Sequence, residues 1–496
     1  MSDEAIRSIA ILGGGIVGLS AACAFAHALP ATHVTLIATP PDPARLADRA
    51  LATLPDAARF HERIGLDEAG LMRHAGATHR LGTAFTGWSA DGSGWLLCFG
   101  AHGPRDQADF HQHWLIARRE GDTTPFHAYS PAAALAIAGR MAPPDDDPAS
   151  PLADIDLALR LDPAAYTAQL AGLAGHLRVE TVAGALSTVE RRDDGGVAAL
   201  LLADGRRVAA DLFVDAGGPA APLLSTLDDA FEDWGATLPC DRLLIAEPQP
   251  PALGLVDERH ATECGWWWLA PGRVQTDIGL AYASALTGDD DAARVLETEA
   301  NARPRARLAI RPGHRPLGWI ANTLAIGNAA VTLDPLAGID LALAHNAILR
   351  AIDLLPDRTM PPTLIAEFNR RTTDEHARAR DFTAAHYLAS NRRTGAFWQA
   401  LDGVVPPESL AITLGQFAGR GHLPHFEEEI ADPDLRRALL LGLGVMPARG
   451  DPAAQAMPAD RRRAMLRQAR DRAQSAPARA LAYRDFYARM IAAQPG

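Results

Sequence analysis

Ser8-Ile9-Ala10-Ile11-Leu12-Gly13-Gly14-Gly15-Ile16-Val17-Gly18 is the stretch that decides the fold. A short apolar run suited to a buried parallel strand leads straight into glycines with G-x-G-x-x-G spacing, at positions 13, 15 and 18. A small-residue helical segment, Leu19 to Leu29, comes next, and His33-Val34-Thr35-Leu36-Ile37 makes a second strand. Strand, glycine turn, helix and strand form a βαβ unit with the signature of dinucleotide binding. One glycine makes the turn, one lets a pyrophosphate approach the backbone, and one lets helix and strand pack closely. The helix N-terminus supplies the anion site. The acidic residue expected at the end of the second strand, which would hold a ribose, is replaced by Ala38-Thr39.

Working outward, the chain has 496 residues, 48% hydrophobic and 22% charged. That is ordinary for a globular protein of roughly two to four domain-sized units. No apolar run approaches the roughly 18 residues of a membrane span. Met-Ser-Asp-Glu at the start is acidic where a secretory signal would be basic. Cys23, Cys98, Cys240 and Cys264 lie far apart with no metal-ligand spacing. Neither a disulfide framework nor a metal site is expected, and a cytoplasmic location is. His111 and His113, in Phe110-His111-Gln112-His113-Trp114, alternate like a strand, but sequence places no third ligand beside them. A net charge of −13 has the wrong sign for a general nucleic-acid binder. All 47 basic residues are arginines. Any chemistry that needs a lysine ammonium is therefore excluded.

Val179 to Asp215 reads as strands with a turn at Asp204-Gly205, ending in Asp215-Ala216-Gly217-Gly218. Thr323 to Ile326 is another strand, running into Gly327-Asn328-Ala329-Ala330. From about Pro361 onward the pattern is helical and rich in Arg, Ala and Glu.

Several motifs carry a likeness that spans nearly the whole chain. Ala52-Thr53-Leu54-Pro55 through Glu68, and Met72-Arg73 through Gly76-Ala77-Thr78-His79-Arg80-Leu81-Gly82, resemble the flavin-dependent tryptophan halogenases. Gly265-Trp266-Trp267-Trp268-Leu269-Ala270-Pro271 is similar to that family's GWxWxxP element. So are Arg380-Asp381-Phe382, His386-Tyr387, Phe397-Trp398 and Leu441 to Pro447 to its later segments. The resemblance implies an α/β fold of the glutathione-reductase-like FAD-binding type, with an inserted antiparallel sheet and a helical C-terminal region. On that expectation residues 1–360 form the FAD-binding core, with a substrate sheet inserted at roughly 76–150 and 225–315, and residues 361–496 form the helical part.

The departures fall where halogenation chemistry belongs. The family places a lysine beside the substrate; this chain has Arg80 in the matching stretch. A guanidinium is always charged and cannot cycle protons as an amine can. The glutamate after the family's DPL element is missing, because Asp334-Pro335-Leu336 continues as Ala337-Gly338-Ile339. The GxGE flavin strap is replaced by Asp48-Arg49-Ala50-Leu51. Both replacement loops resemble those of class A flavin hydroxylases. In that class the Pro-Leu-Ala-Gly segment precedes a helix whose N–H groups face the flavin and stabilise negative charge there.

The resemblance thus implies FAD held by Gly13, Gly15, Gly18, Arg49, Asn328, Ala329, Pro335, Leu336, Gly338 and Ile339. The flavin is reduced either by NAD(P)H directly or by a separate flavin reductase, and molecular oxygen is the co-substrate. His79 and Arg80 are the candidate catalytic residues; Arg80 either binds a carboxylate, hydrogen-bonds a flavin peroxide or faces solvent. Trp266 and Trp268, on one face of a strand, either wall a substrate site or pack in a core. Asp215 with Gly217-Gly218 is either a second FAD-proximal element or a strand-end turn. The activity expected is hydroxylation of an electron-rich aromatic ring, an indole or tryptophan free or within a peptide, through a flavin C4a-hydroperoxide. The alternatives are a halogenase working with Arg80, and a flavin-binding maturation partner without turnover.

Overall fold

In the computed structural model, residues 5–40, 42–49, 52–105, 107 and 109–492 are described. The βαβ unit forms as β1 (Ser8–Leu12), α1 (Ile16–Ala28) and β2 (His33–Ala38). β1 and β2 are parallel, with Ile11 beside Leu36. Across the sheet the order is Trp319–Ile320, Thr323–Ala325, Leu212–Asp215, β1, β2, Glu180–Ala183. The pairs from Thr323–Ala325 to Glu180–Ala183 are all parallel, and Trp319–Ile320 turns back antiparallel. β1 is central, which explains why its apolar run does not alternate. Ile9 to Leu12 are all buried, and burying one such side chain contributes about 1.5–3 kcal/mol.

The glycines of the turn are sterically required. A Cβ on Gly18 would lie 1.9 Å from the Gly13 carbonyl oxygen. One on Gly13, whose φ is +131°, would lie 2.4 Å from the Ala216 carbonyl. With those glycines in place, α1 buries Ile16 through Phe25. That close seat is what its small residues serve.

The chain divides into two units. The first comprises residues 1–77, 161–236 and 308–380. Besides the parallel sheet it carries an antiparallel meander of Leu186–Arg191, Val197–Leu202 and Arg207–Ala209. Its last turn falls at Asp204-Gly205, where Gly205 takes a φ of +87°.

The second unit comprises residues 78–160, 237–307 and 381–496. Its seven-stranded sheet runs Pro304–Ala309, Arg242–Ala246, Asp277–Tyr282, Gly265–Ala270, Val256–Ala261, Gly82–Thr86, Trp95–Cys98. Val256–Ala261 and Gly82–Thr86 are parallel, while the pairs flanking them are antiparallel. The C-terminal region is helical, with Glu408–Arg420, Pro433–Gly442, Ala459–Ser475 and Tyr483–Ala492 among its helices.

One local expectation is corrected. The segment holding His111 and His113 is the start of helix Phe110–Arg119, not a strand. Phe110, Trp114 and Ala117 recur at helical spacing and enter a buried cluster with Phe417 and Leu441. His111 donates through Nε2 to the Gly421 carbonyl at 2.8 Å. No helix among the described residues is long and apolar enough to cross a membrane.

Candidate active site

The first unit builds an anion cradle. α1 begins after Gly15, which provides no side-chain cap, so its leading N–H groups need another acceptor. Asp48 is that acceptor: the Val17 N–H donates to its Oδ1 at 3.0 Å, and the Ile16 N–H adds a second hydrogen bond. Asp48 ends the short helical turn Leu46–Asp48. Asn328 holds that turn, accepting the Ala47 N–H at 2.9 Å and donating to the Val331 carbonyl at 3.3 Å. A Cβ on Gly15 would sit 1.8 Å from the Asp48 carboxylate. The carboxylate therefore fills the hollow that the glycine turn opens. Burial raises the Asp48 pKa, against the opposing pull of the Val17 N–H and the Arg45 charge.

Two arginines near this turn differ. Arg49, on which the sequence reading rested, is exposed. Arg45 is the one that folds inward, donating through Nε to the Gly217 carbonyl at 3.3 Å and through Nη2 to Thr39 Oγ1 at 3.0 Å. Asp215 is fully buried and spends its carboxylate on the chain itself. It accepts the N–H groups of Gly217, Leu223 and Leu224 at 2.9, 2.7 and 3.0 Å, which is the strand-end turn.

Buried Asn328 also joins the cradle to the segment Asp334 to Asp340. The Leu336 N–H donates to Asp334 Oδ1 at 3.1 Å. Gly338 takes a φ of +65°, and Ile339 leads into helix Asp340–Asp353 without a side-chain cap. Pro335, Leu336, Gly338, Ile339, Asn328 and Ala329 are all buried. Asp340 was not singled out from sequence. Its carboxyl is buried, and Oδ2 has no hydrogen-bond partner among the described residues. Burial, with the charge of Asp334 added, pushes its pKa up to about 7, while a hydrogen bond from Asn328 opposes the shift. These residues fit a dinucleotide: the hollow over Gly15 tolerates no Cβ and already accepts a carboxylate, so it takes an anion at a helix N-terminus.

The second unit holds the candidate catalytic and substrate residues. Strand Thr78–Arg80 pairs with Ala158–Arg160, with Arg80 beside Ala158. His79 and Arg80 are neighbours on a strand and point to opposite faces. The His79 N–H donates to the Tyr483 hydroxyl at 2.7 Å, and its ring meets Phe486 edge-on with centroids 5.3 Å apart. Arg80 donates through Nε to Asp257 Oδ2 at 2.9 Å and through Nη2 to Thr83 Oγ1 at 2.8 Å. Its guanidinium also lies 5.1 Å from the Phe99 ring centroid. The two residues are not brought together.

Asp257 is shared. Arg160 pairs with its Oδ1, and Arg259 lies 3.8 Å from its Oδ2. Burial alone would raise the Asp257 pKa, yet Arg160, Arg80 and Arg259 together bring it down to about 2. Three guanidinium groups thus surround one buried carboxylate.

The tryptophan strand adjoins this cluster. Arg259 lies 5.5 Å from the Trp266 ring centroid. Trp266 is fully buried and donates through Nε1 to the Tyr387 hydroxyl at 2.8 Å. Trp268 shares its face, with ring centroids 5.6 Å apart, and is half-buried. Trp267 turns the other way, stacked on His260 at 3.8 Å and packed in the core with Leu280. The same unit carries a half-open pocket of about 530 Å3 walled by Trp95, Trp114, Phe126 and His102. None of the arginines around Asp257 lines it.

Comparison with known proteins adds a family. The family model described as Tryptophan halogenase matches residues 8–459. BrvH, a flavin-dependent halogenase from Brevundimonas sp. BAL3, is 32% identical with a TM-score of 0.90, over 98% of this chain and 99% of that one. Xcc4156, a flavin-dependent halogenase from Xanthomonas campestris, is 28% identical with a TM-score of 0.91, over 99% and 100%. Tryptophan 7-halogenase KtzQ from Kutzneria sp. (strain 744) is 26% identical over 432 residues, 81% of this chain and 79% of KtzQ. The architecture is accordingly the glutathione-reductase-like FAD-binding fold with an inserted sheet and a helical C-terminal region.

Proposed function

The chain belongs to the tryptophan halogenase family of flavin-dependent enzymes, and on that premise we propose that it is an FAD-dependent monooxygenase hydroxylating an electron-rich aromatic ring. An indole, free or within a peptide, is the favoured acceptor. FAD, when bound, supplies the activation of molecular oxygen. The glycine cradle and the Asn328 to Ile339 segment would hold it. The flavin would arrive reduced from a separate reductase. Trp268 would orient the acceptor ring with Trp266 packed behind it, and the cluster around Asp257 would bind an anionic group on the acceptor. Keeping the acceptor in one pose and away from water is the protein's share of the work.

One observation carries the choice of hydroxylation. Arg80 is buried and ion-paired with Asp257, in a chain that has no lysine, and by the resemblance it falls in the stretch where the family's halogenases carry a lysine. A permanently charged, paired guanidinium offers no exchangeable neutral amine. Transfer of oxygen to a ring requires none.

The deciding experiment is a single turnover with reduced FAD, isotope-labelled oxygen and indole or tryptophan, with and without chloride or bromide. A product carrying the label regardless of halide supports hydroxylation. A halogenated product overturns it. That outcome would favour the second reading, a halogenase with Arg80 in its site, for which the 32% identity to BrvH speaks.

A further inference from the structure

We propose that Asp48 competes, within the chain, with the flavin's pyrophosphate: its carboxylate takes the anion position at the α1 N-terminus, so that FAD must displace it to bind. The inference rests on the flavin reading above. Asp48 then sets how tightly the cofactor is held.

The geometry leaves room for one anion. Gly15 is the position where the turn admits no side-chain atom, because its Cβ would lie 1.8 Å from Asp48 Oδ2 and 2.5 Å from Cγ. A ligand phosphate approaching that backbone meets the same carboxylate. The donors are shared as well. Val17 N–H, at 3.0 Å from Asp48 Oδ1, and Ile16 N–H are among the few N–H groups without an intrahelical partner that a helix start has to offer. Two negative groups at one helix N-terminus repel, and the helix dipole that favours one does not neutralise both.

The seat of Asp48 is also built. Asn328 fixes the Ala47 N–H at 2.9 Å, which places the next residue over the turn. Arg45, whose charge acts on Asp48, is anchored between Thr39 and Gly217. It remains beside the cradle to meet whichever anion is there.

The consequence follows from population arithmetic. A ligand that binds only the displaced form has its affinity reduced by the fraction of that form. Asp48→Asn keeps the shape and leaves an oxygen to accept the Val17 N–H, but removes the charge. Asp48→Ala removes both the charge and the occupying atoms.

The test is fluorescence titration of the full chain and both variants with FAD, and separately with riboflavin, which has no phosphate. Thermal melts confirm that all three proteins are folded. The expected result is an FAD Kd lowered about tenfold or more in Asp48→Asn and at least as far in Asp48→Ala, with riboflavin binding unchanged. Equal or weaker FAD binding by the variants overturns the proposal and leaves the flavin reading standing. An equal gain for riboflavin also overturns it, since the effect would then lie outside the phosphate cradle. No FAD binding by any of the three proteins overturns the flavin reading and the proposal together.

Discussion

Arg80 donates its Nε–H to Asp257 at 2.9 Å, with side-chain exposures of 4% and 1%. Two charges so fully removed from water hold each other in place, because either one left alone would pay its desolvation unaided. Arg80 is thereby structural as well as cationic.

Asp257→Asn should therefore be severely destabilising, by about 3–5 kcal/mol in urea unfolding, as for other broken buried pairs. The Asp257 pKa is depressed to about 2 from about 3.9 in the unfolded chain. Its contribution is present above the unfolded value and is lost as pH falls toward 2. The variant should lack that acid-side slope; a loss below about 1 kcal/mol would refute the coupling.

Asp340 has the opposite sign. Its pKa is raised to about 7 by burial and by Asp334, so the folded state holds a proton that the unfolded state releases. Stability present below about 3.9 is lost as pH rises through about 7. Asp340→Asn should flatten the stability profile across that window and raise the melting temperature at pH 8. An unchanged profile would mean that the carboxyl is not held neutral.

Gly18→Ala puts a methyl 1.9 Å from the Gly13 carbonyl. Helix α1 must move off the sheet, at about 1–3 kcal/mol. FAD affinity should fall with stability in the same variant, measured by flavin fluorescence and thermal melting. Retained FAD affinity would argue that the cofactor does not use this turn.

The two tryptophans on one face separate packing from binding. Trp266→Phe loses the hydrogen bond to the Tyr387 hydroxyl and should cost about 0.5–1.5 kcal/mol of stability. Trp268, half-buried with its ring over Gly279, should tolerate change to Ala with a smaller stability loss but a KM for the aromatic acceptor raised severalfold. Identical effects of both variants would place Trp268 in the core.

Much of the first unit was legible in the sequence. Three glycines at fixed spacing between an apolar run and a small-residue helix leave few other folds open, because a strand-to-helix turn that tight needs them and Gly18 answers the Gly13 carbonyl within the same turn. The Asp204-Gly205 turn and the shared face of Trp266 and Trp268 were legible for the same local reason. The helix at His111 and His113 was not legible, because two alternating residues cannot distinguish periods of 2 and 3.6 in so short a segment. Arg45 and Asp340 left no signal; burial singles them out, and burial depends on what folds over them.

The sequence by itself determined the βαβ unit, the family resemblance and the absence of lysine. Only the tertiary structure decided where the charges went. It paired Arg80 with Asp257, a residue far along the chain, set Asp48 rather than Arg49 at the start of α1, and left Asp340 buried with Oδ2 unpartnered among the described residues. Backbone geometry is dictated by near neighbours, whereas the energy of a charge depends on its distance from water and from other charges, and those distances exist only once the chain has folded.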